Sequence, residues 1–204
     1  MKTVVLATNN AHKVAEIATA LDFPGWEFRT LRELGIESDP AEDADTFEGN
    51  ARIKARAAHE ASGGLAALAD DSGLVVDALD GAPGVHSARY AGEPCDDAAN
   101  NAKLLAELSD VPDAERTARF ASTLVFVDED GSEIVAEGAV EGRIGHEGRG
   151  SEGFGYDPLF LPDVFGGART LAEVDRDEKN AVSHRGNALR QLRAKLEEAG
   201  GANA

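Results

Sequence analysis

The chain has 204 residues, with 38 acidic and 20 basic side chains and a formal net charge of −18. This balance excludes a long nucleic acid as a partner, because backbone binding needs clustered lysines and arginines, and no apolar run approaches the roughly 20 residues of a membrane span. The length and the 42% hydrophobic content fit one domain with two lobes over residues 1–204, and the single Cys95 allows no internal disulfide, which suits the reducing cytoplasm.

The first predicted element is a buried strand in the apolar, β-branched run "KTVVLA", residues 2–7. A polar turn, "TNN", interrupts it, and a helix is predicted to follow. The helical spacing is carried by Val14, Ile17, Ala18 and Leu21. A second helix is predicted from Thr46 to the Gly63-Gly64 pair, and a strand, "LAALADDSGLVV" (65–76), comes next.

Three further elements are predicted in the second half of the chain. Asp96 or Asp97 caps a third helix that ends near Leu108. The runs "RFASTLVFVD" (119–128) and "EIVAEGAVEGRI" (133–144) predict an antiparallel pair of strands with a turn at "EDGS". A short helix opens at the capping-box pattern of Thr170 and Glu173, and the last helix begins near Ser183 with Ala188, Leu189, Leu192 and Leu196 on one face. These elements predict an α/β fold with a mixed sheet.

Two neighbouring carboxylates, Asp70 and Asp71, interrupt the apolar strand at residues 65–76. An uncompensated charge in a buried strand is costly, so a positive group is expected beside them. Strand alternation sends adjacent side chains to opposite faces, and the pattern alone does not choose which aspartate faces a site.

Two stretches carry groups that bind phosphate. In "TNNAHK" (8–13), side-chain oxygens of Thr8 and Asn10, the free amides of a helix start and the Lys13 ammonium converge on one point. A plain asparagine cap with a surface lysine explains the same letters equally well. In "FEGNARIKA", Asn50 and Lys54 lie four residues apart on one helical face, so Lys54 reaches a second phosphate or is simply solvated.

The loop "GRGSEG" (148–153) matches the dinucleotide pattern G-x-G-x-x-G, but "FGYDPLFLPD" follows it without a helical period. The dinucleotide interpretation is therefore rejected in favour of a mobile glycine-rich loop. After it, "FGYDP" (154–158) offers a ring for stacking and a carboxylate beside a proline. In "EKNAVSHR" (178–185), a lysine, a histidine and an arginine surround a helix start, where a histidine is more often structural.

Five ordered stretches together resemble the inosine triphosphate pyrophosphatase family, whose members act on noncanonical purine nucleotides. They are "ATNNAHK", "FEGNARIKA", "LADDSGLVVDALDGAPGVHSARYAG", "GSEGFGYDPLF" and "EKNAVSHRGNAL", and the resemblance runs from Lys2 to about Leu196. It implies an elongated mixed sheet flanked by helices, two lobes with a nucleotide cleft between them, and a homodimer. It also implies Mg²⁺-dependent hydrolysis of ITP, dITP and XTP to the monophosphate and pyrophosphate, which cleanses the nucleotide pool.

The resemblance also implies roles for single residues. The general base and one metal contact fall on Asp71, a second metal carboxylate on Glu42 and a substrate contact on Ser72. The triphosphate contacts fall on Thr8, Asn9, Asn10, Ala11, His12, Lys13 and Lys54. The base contacts fall on Phe154, Gly155, Tyr156, Asp157, Lys179, His184 and Arg185. One departure is Asn9, where many members have glycine.

With these roles, the paired aspartates have an expected explanation. If the strand ends near Ala69, both lie at its edge, where Mg²⁺ supplies the compensating charge. Water oriented by Asp71 and the metal then attacks the α-phosphorus, while Lys13, Lys54 and the turn amides stabilise the departing pyrophosphate.

The expected purine selectivity follows from hydrogen-bond polarity. Hypoxanthine and xanthine present an N1–H donor and an O6 acceptor, which suits Asp157 beside Arg185 or His184, whereas adenine reverses both groups. Two alternatives stay open: a Maf-type pyrophosphatase of pyrimidine or modified nucleotides, and a noncatalytic nucleotide-binding protein. "SHR" and "FGYDP" argue against the first, and the acidic charge argues against an RNA-binding form of the second.

Overall fold

The structure is a computed structural model that describes residues 1–8 and 10–201, with the backbone alone for residues 11, 12 and 201. The predicted phosphate contact at Asn9 lies outside these residues. Its α-helices are α1 (Ala11–Ala20), α2 (Phe47–Ala61), α3 (Asp97–Glu107), α4 (Arg176–Val182) and α5 (His184–Gly201). Its strands are β1 (Lys2–Leu6), β2 (Trp26–Thr30), β3 (Ala66–Val76), β4 (Thr117–Val127), β5 (Glu133–Ile144) and β6 (Phe160–Pro162).

The strands form one sheet in the order β2-β1-β3-β4-β5-β6. β1 pairs in parallel with β2 and with β3, whereas β5 and β6 are antiparallel. β4 and β5 are neighbours joined by residues 128–132, a connection too short for a parallel crossover, so they also run antiparallel. The predicted α/β fold with a mixed sheet is confirmed.

The chain divides into two compact units. Unit 1 comprises Met1–Asp71, Ser122–Gly138 and the chain from Arg185 onward, and unit 2 comprises Ser72–Ala121 and Ala139–His184. The predicted arrangement of two lobes with a cleft stays a prediction.

In unit 1, the sheet is buried on both faces. The beginning of β3 alternates accordingly: Ala66 and Leu68 pack with α1 and α5, while Ala67 and Ala69 pack with the α2 alanines Ala51, Ala55 and Ala58. Burial on both faces is typical of parallel strands and explains their continuous apolar runs. Unit 2 has its own core, which contains Leu74, Leu104, Phe120, Tyr156 and Phe160.

Helix caps settle several predicted boundaries. The Thr46 hydroxyl accepts a hydrogen bond from the Gly49 N–H at 3.0 Å and begins α2. Asp96, and not Asp97, caps α3, because its carboxylate accepts from the N–H groups of the next turn. The capping box of Thr170 and Glu173 encloses only one 3-10 turn.

The strand predicted at residues 65–76 is confirmed as β3, which runs through both aspartates to Val76, so the condition that it ends near Ala69 is not met. One prediction for α1 is wrong. Ala18 does not face the core: Ile17 and Leu21 are fully buried, whereas Ala18 is exposed, and an alanine tolerates that position at little cost.

No helix in residues 1–8 and 10–201 is long and apolar enough to cross a membrane.

Candidate active site

The turn between β1 and α1 has the predicted cap geometry. The Asn10 side-chain oxygen accepts from the Lys13 N–H at 3.3 Å, and the Thr8 hydroxyl accepts from the Asn10 N–H at 3.1 Å. The helix therefore begins at Ala11 with Lys13 in its first turn. The cap and the phosphate interpretations are compatible, because other first-turn amides have no partner within the helix.

Asp70 is a fully buried carboxylate compensated by two cations. Its Oδ2 lies 2.9 Å from Lys13 Nζ and 3.0 Å from Arg185 Nε, and Ser122 Oγ donates to its Oδ1 at 2.7 Å. Burial raises the pKa of Asp70, but Arg185, Lys13 and Ser122 outweigh burial and hold this pKa well below its ordinary value. Lys13 and Arg185 therefore supply at Asp70 the positive charge that was expected from a metal ion.

Arg185 connects this carboxylate to α1. Its guanidinium is almost fully buried and its Nη1 donates to Glu16 Oε2 at 2.6 Å, while its Nε contacts Asp70. Burial lowers the pKa of Arg185, yet the two carboxylates raise it further than burial lowers it. The resulting network joins α1, β3 and the start of α5 inside unit 1.

Asp71 has a different partner. Lys54 Nζ lies 2.7 Å from Asp71 Oδ1 and 2.9 Å from Glu42 Oε2, and it also donates to the Asp70 carbonyl oxygen at 3.2 Å. Asp71 Oδ2 is buried and accepts no hydrogen bond within the described part of the chain. Burial raises the pKa of Asp71, against the opposing effect of Lys54. The pKa of Lys54 is raised because Asp71 and Glu42 outweigh its own burial.

The position of Glu42 depends on Asn50. The buried Asn50 side-chain oxygen accepts from the Ala44 N–H at 3.0 Å and attaches the acidic loop, residues 37–45, to α2. Gly49 permits this approach, because a Cβ there would stand 2.5 Å from the Ala44 Cβ. The attachment of this loop brings Glu42, the predicted second metal carboxylate, to Lys54.

In unit 2, the turn from Phe154 to Asp157 surrounds a buried ion pair. Lys179 Nζ, in α4, lies 2.6 Å from Asp157 Oδ2 and 4.7 Å from the centre of the Phe154 ring. The same carboxylate oxygen accepts from the Phe154 N–H at 2.9 Å. Gly153 leaves room for it, since a Cβ there would meet Asp157 Oδ2 at 2.1 Å.

The rest of this turn is also held by hydrogen bonds. The buried Tyr156 hydroxyl donates to the Ser87 carbonyl oxygen at 2.8 Å, and burial raises the pKa of Tyr156. The glycine-rich loop at 148–153 leads into the turn and β6 rather than a helix, as the rejection of the dinucleotide site requires. The Ala172 carbonyl accepts two N–H groups of this loop, each at 3.0 Å.

Comparison with known proteins identifies the family. The sequence model of the Ham1 family matches residues 4–195. The chain belongs to the Ham1 family. It is 51% identical to the dITP/XTP pyrophosphatase of Haemophilus influenzae, over 95% of this chain and 98% of that protein. It is 50% identical to the enzyme of the same name from Lactiplantibacillus plantarum, over 97% and 96% of the two chains.

Solved structures of the Ham1 family have the same fold. A Ham1 protein from Coxiella burnetii superposes with a TM-score of 0.88 at 43% identity and covers 97% of this chain and all of its own. The dITP/XTP pyrophosphatase of Mycobacterium abscessus has a TM-score of 0.78 at 47% identity, over 93% and 98% of the two chains. The resemblance stated from the sequence motifs is confirmed.

In this member of the Ham1 family, the predicted site residues fall into two groups. In unit 1, Lys54 contacts both Glu42 and Asp71, and Lys13 and Arg185 meet at Asp70. Thr8 and Asn10 form the turn that precedes α1, and for Ala11 and His12 the backbone alone is placed in that helix. In unit 2, Phe154, Asp157 and Lys179 are in contact, Gly155 and Tyr156 complete their turn, Ser72 is half-buried on β3 after Asp71, and His184 stacks on Phe120.

Some residues of these groups were not predicted. Glu16 and Ser122 carry no local signal, because their partners are distant in sequence. Asp97 and Asn101 contact the Phe154–Asp157 turn, and their spacing of four residues on one predicted helix could have shown that they share a face.

The predicted divalent metal fits the Asp71 group by its chemistry. No three His, Cys, Asp or Glu side chains form a metal cluster within residues 1–8 and 10–201. Mg²⁺, however, commonly takes one or two carboxylates and completes its shell with water and substrate phosphate. Asp71 Oδ2, buried and unpaired in that same part of the chain, is a suitable oxygen ligand, and Glu42 supplies a second carboxylate beside it.

Proposed function

We propose that this protein hydrolyses dITP, XTP and ITP to the nucleoside monophosphate and pyrophosphate, and so removes noncanonical purine nucleotides from the nucleotide pool. The observation that carries the proposal is Asp71, whose carboxylate has one oxygen on Lys54 and one buried oxygen without a hydrogen bond in the described residues. About half of the residues are identical to those of proteins named dITP/XTP pyrophosphatase, which supports the substrate class.

In this proposal, Asp71 is the general base. Its raised pKa makes the carboxylate a stronger base than an exposed aspartate, and Oδ2 is the oxygen that accepts no hydrogen bond within the described residues. Lys54 holds Oδ1 and fixes the orientation of the carboxylate. The water would lose its proton to Asp71 as its oxygen attacks the α-phosphorus, and pyrophosphate would leave.

Lys13 and Lys54, with the amides at the start of α1, are the proposed phosphate contacts. Both ammonium groups lie beside carboxylates. With Arg185, the unit 1 group has three cations against four carboxylates, which are Glu16, Glu42, Asp70 and Asp71. A triphosphate would therefore meet a group with no surplus of positive charge.

This charge balance supports a divalent cation as the cofactor, and we propose Mg²⁺ held by Asp71 and Glu42. When bound, such an ion neutralises phosphate charge and lowers the pKa of a coordinated water. Asp70 is left out of this proposed site, since both its oxygens already have partners.

We propose that the purine base is recognised by the Phe154–Asp157 turn with Lys179. The Phe154 ring provides a stacking surface. The Lys179 ammonium on one side of the ring attracts its electrons, so the ring favours an electron-rich base on its other side. Because Asp157 already accepts from Lys179 and from the Phe154 N–H, its contribution to reading N1–H depends on its remaining lone pairs. Ser72, His184 and Arg185 stay predicted substrate contacts, and a homodimer and a cytoplasmic location stay predictions as well.

The function is tested by a substrate panel that measures pyrophosphate release with Mg²⁺ present and after chelation. We expect rapid release from dITP, XTP and ITP and release from ATP and GTP lower by a factor of about 10⁴ or more where buried polar groups discriminate. Chelation should abolish release and leave the unfolding midpoint unchanged. Equal rates on all purines would contradict the proposal, and preference for dTTP or UTP would favour the Maf-type alternative.

A further inference from the structure

The two backbone polar groups of Gly155 are held by two side chains of α3. Its N–H donates to Asp97 Oδ2 at 2.7 Å, and its carbonyl oxygen accepts from Asn101 Nδ2 at 2.9 Å. Asp97 and Asn101 are four residues apart and lie on one face of the helix. One accepts and the other donates, so together they match the polarity of this single residue.

Gly155 is the residue of the turn whose backbone is least restricted. Its φ of +63° lies in the left-handed region, which glycine enters at no steric cost. Without a Cβ, nothing intrinsic to Gly155 keeps it in that conformation. The two hydrogen bonds supply the restriction, and Gly155 lies directly between Phe154 and Tyr156 in the chain.

We propose that Asp97 and Asn101 are positioning residues for base recognition: by holding Gly155, they fix the Phe154 ring in the orientation that stacks on a noncanonical purine. This inference rests on the proposed function. In this proposal Asp97 and Asn101 do not touch the substrate but act through the backbone of the Phe154–Asp157 turn. Helix α3 is then the element that sets the base preference.

The hydrogen bond from Asn101 to Gly155 contributes little by itself to the free energy of unfolding. Its Oδ1 is buried and accepts no hydrogen bond in the described residues, so the side chain carries a desolvated acceptor along with its one bond to Gly155. Removing such a side chain relieves the unpaired acceptor as it breaks the bond, and the two effects oppose each other in the free energy of unfolding. Helix α3 also keeps its cap, Asp96, in that variant.

The test measures pyrophosphate release from dITP and from dATP by the full chain with Mg²⁺. In Asn101→Ala and Asp97→Ala, we expect KM for dITP to rise about 3- to 10-fold with kcat nearly unchanged, since each loses one hydrogen bond that prepares substrate binding. The preference for dITP over dATP, as a ratio of kcat/KM, should fall by a similar factor. Asp97→Asn keeps an acceptor and should restore most of the wild-type KM.

Asp96→Ala is the matched control, because it weakens the same helix by removing its cap without touching Gly155. A KM increase in this control equal to that of Asn101→Ala would show that helix stability alone matters and would overturn the inference. So would wild-type KM and preference in both alanine variants of an active enzyme. If the wild type itself releases no pyrophosphate from dITP or XTP, the proposed function fails first and the inference with it.

Discussion

Adjacent aspartates with different environments are the central feature of the unit 1 group. Asp70 is paired with Lys13 and Arg185 and has a lowered pKa, whereas Asp71 has a raised pKa and an unpaired oxygen within the described chain. Because both oxygens of Asp70 already have partners, we propose that the chemistry belongs to Asp71. Asp70 instead fixes the positions of Lys13 and Arg185.

Asp71→Asn removes the base and keeps the size of the side chain. We expect kcat for dITP to fall at least about a hundredfold, because a positioned general base contributes about 10²- to 10⁴-fold. The unfolding midpoint should stay close to that of the wild type, since Lys54 retains Glu42 as a partner. Steady-state pyrophosphate release is the measurement, with Asp110→Asn, at an exposed carboxylate, as the control. Turnover near the wild-type value would remove Asp71 from the role.

The sequence predicted a charged site at these aspartates but not how it is compensated. A period of two along the strand places neighbours on opposite faces and leaves the choice between them open. Arg185, one of the two cations that compensate Asp70, is 115 residues from it along the chain. Pairings over that separation follow from the tertiary fold, and local pattern does not contain them.

At the scale of elements, segments with a sustained apolar pattern were predicted, and short segments without one were missed. The helices α2, α3 and α5 and the strands β3, β4 and β5 have sustained apolar patterns, and their types are as expected. The strand β2 and the helix α4 were not predicted, and neither was β6, which has three residues. β2 is a strand because its backbone pairs with β1 from Lys2 to Leu6, and such pairing leaves no periodic signal in five half-polar residues.

An ion-pair group in unit 1 joins α2 to β5. Glu133 Oε1 lies 2.6 Å from Arg56 Nε, and its Oε2 lies 2.9 Å from Arg52 Nε. The hydrogen bond from Arg56, followed by that from Arg52, lowers the pKa of Glu133 below its ordinary value of 4.5 despite partial burial. The native state therefore keeps this carboxylate charged at a pH where the unfolded chain has bound a proton.

Glu133→Gln should lower the free energy of unfolding near neutral pH by about 0.5–1 kcal/mol, a small value because both arginines are partly exposed. The contribution is present above the unfolded pKa of 4.5 and is lost as the pH falls through the lower native pKa. The difference between variant and wild type should therefore narrow below pH 4.5. Urea unfolding across this range measures it, with Glu129→Gln, an exposed carboxylate in the preceding turn, as the control. A difference that widens in acid would refute this assignment.

At the scale of the whole molecule, the net charge opposes the proposed substrate. A chain with a formal charge of −18 repels a nucleoside triphosphate at distances beyond direct contact. The repulsion is screened by salt, because the Debye length falls from about 30 Å at 0.01 M to about 8 Å at 0.15 M ionic strength. Composition predicts this long-range field, whereas the local field at Lys13 and Lys54 is known only from their contacts.

These two fields predict opposite effects of salt on KM. If the global charge dominates the approach, KM for dITP should fall at least about twofold between 0.01 M and 0.15 M salt at constant free Mg²⁺, with little change in kcat. We expect this result, because Lys13 and Lys54 are each already beside a carboxylate and present little net positive charge to an approaching anion. Potassium chloride and potassium acetate at equal ionic strength separate screening from a specific anion effect. A KM that rises with both salts would mean that the lysines attract the triphosphate more strongly than the rest of the chain repels it, and that their pairing with carboxylates opens before the substrate arrives.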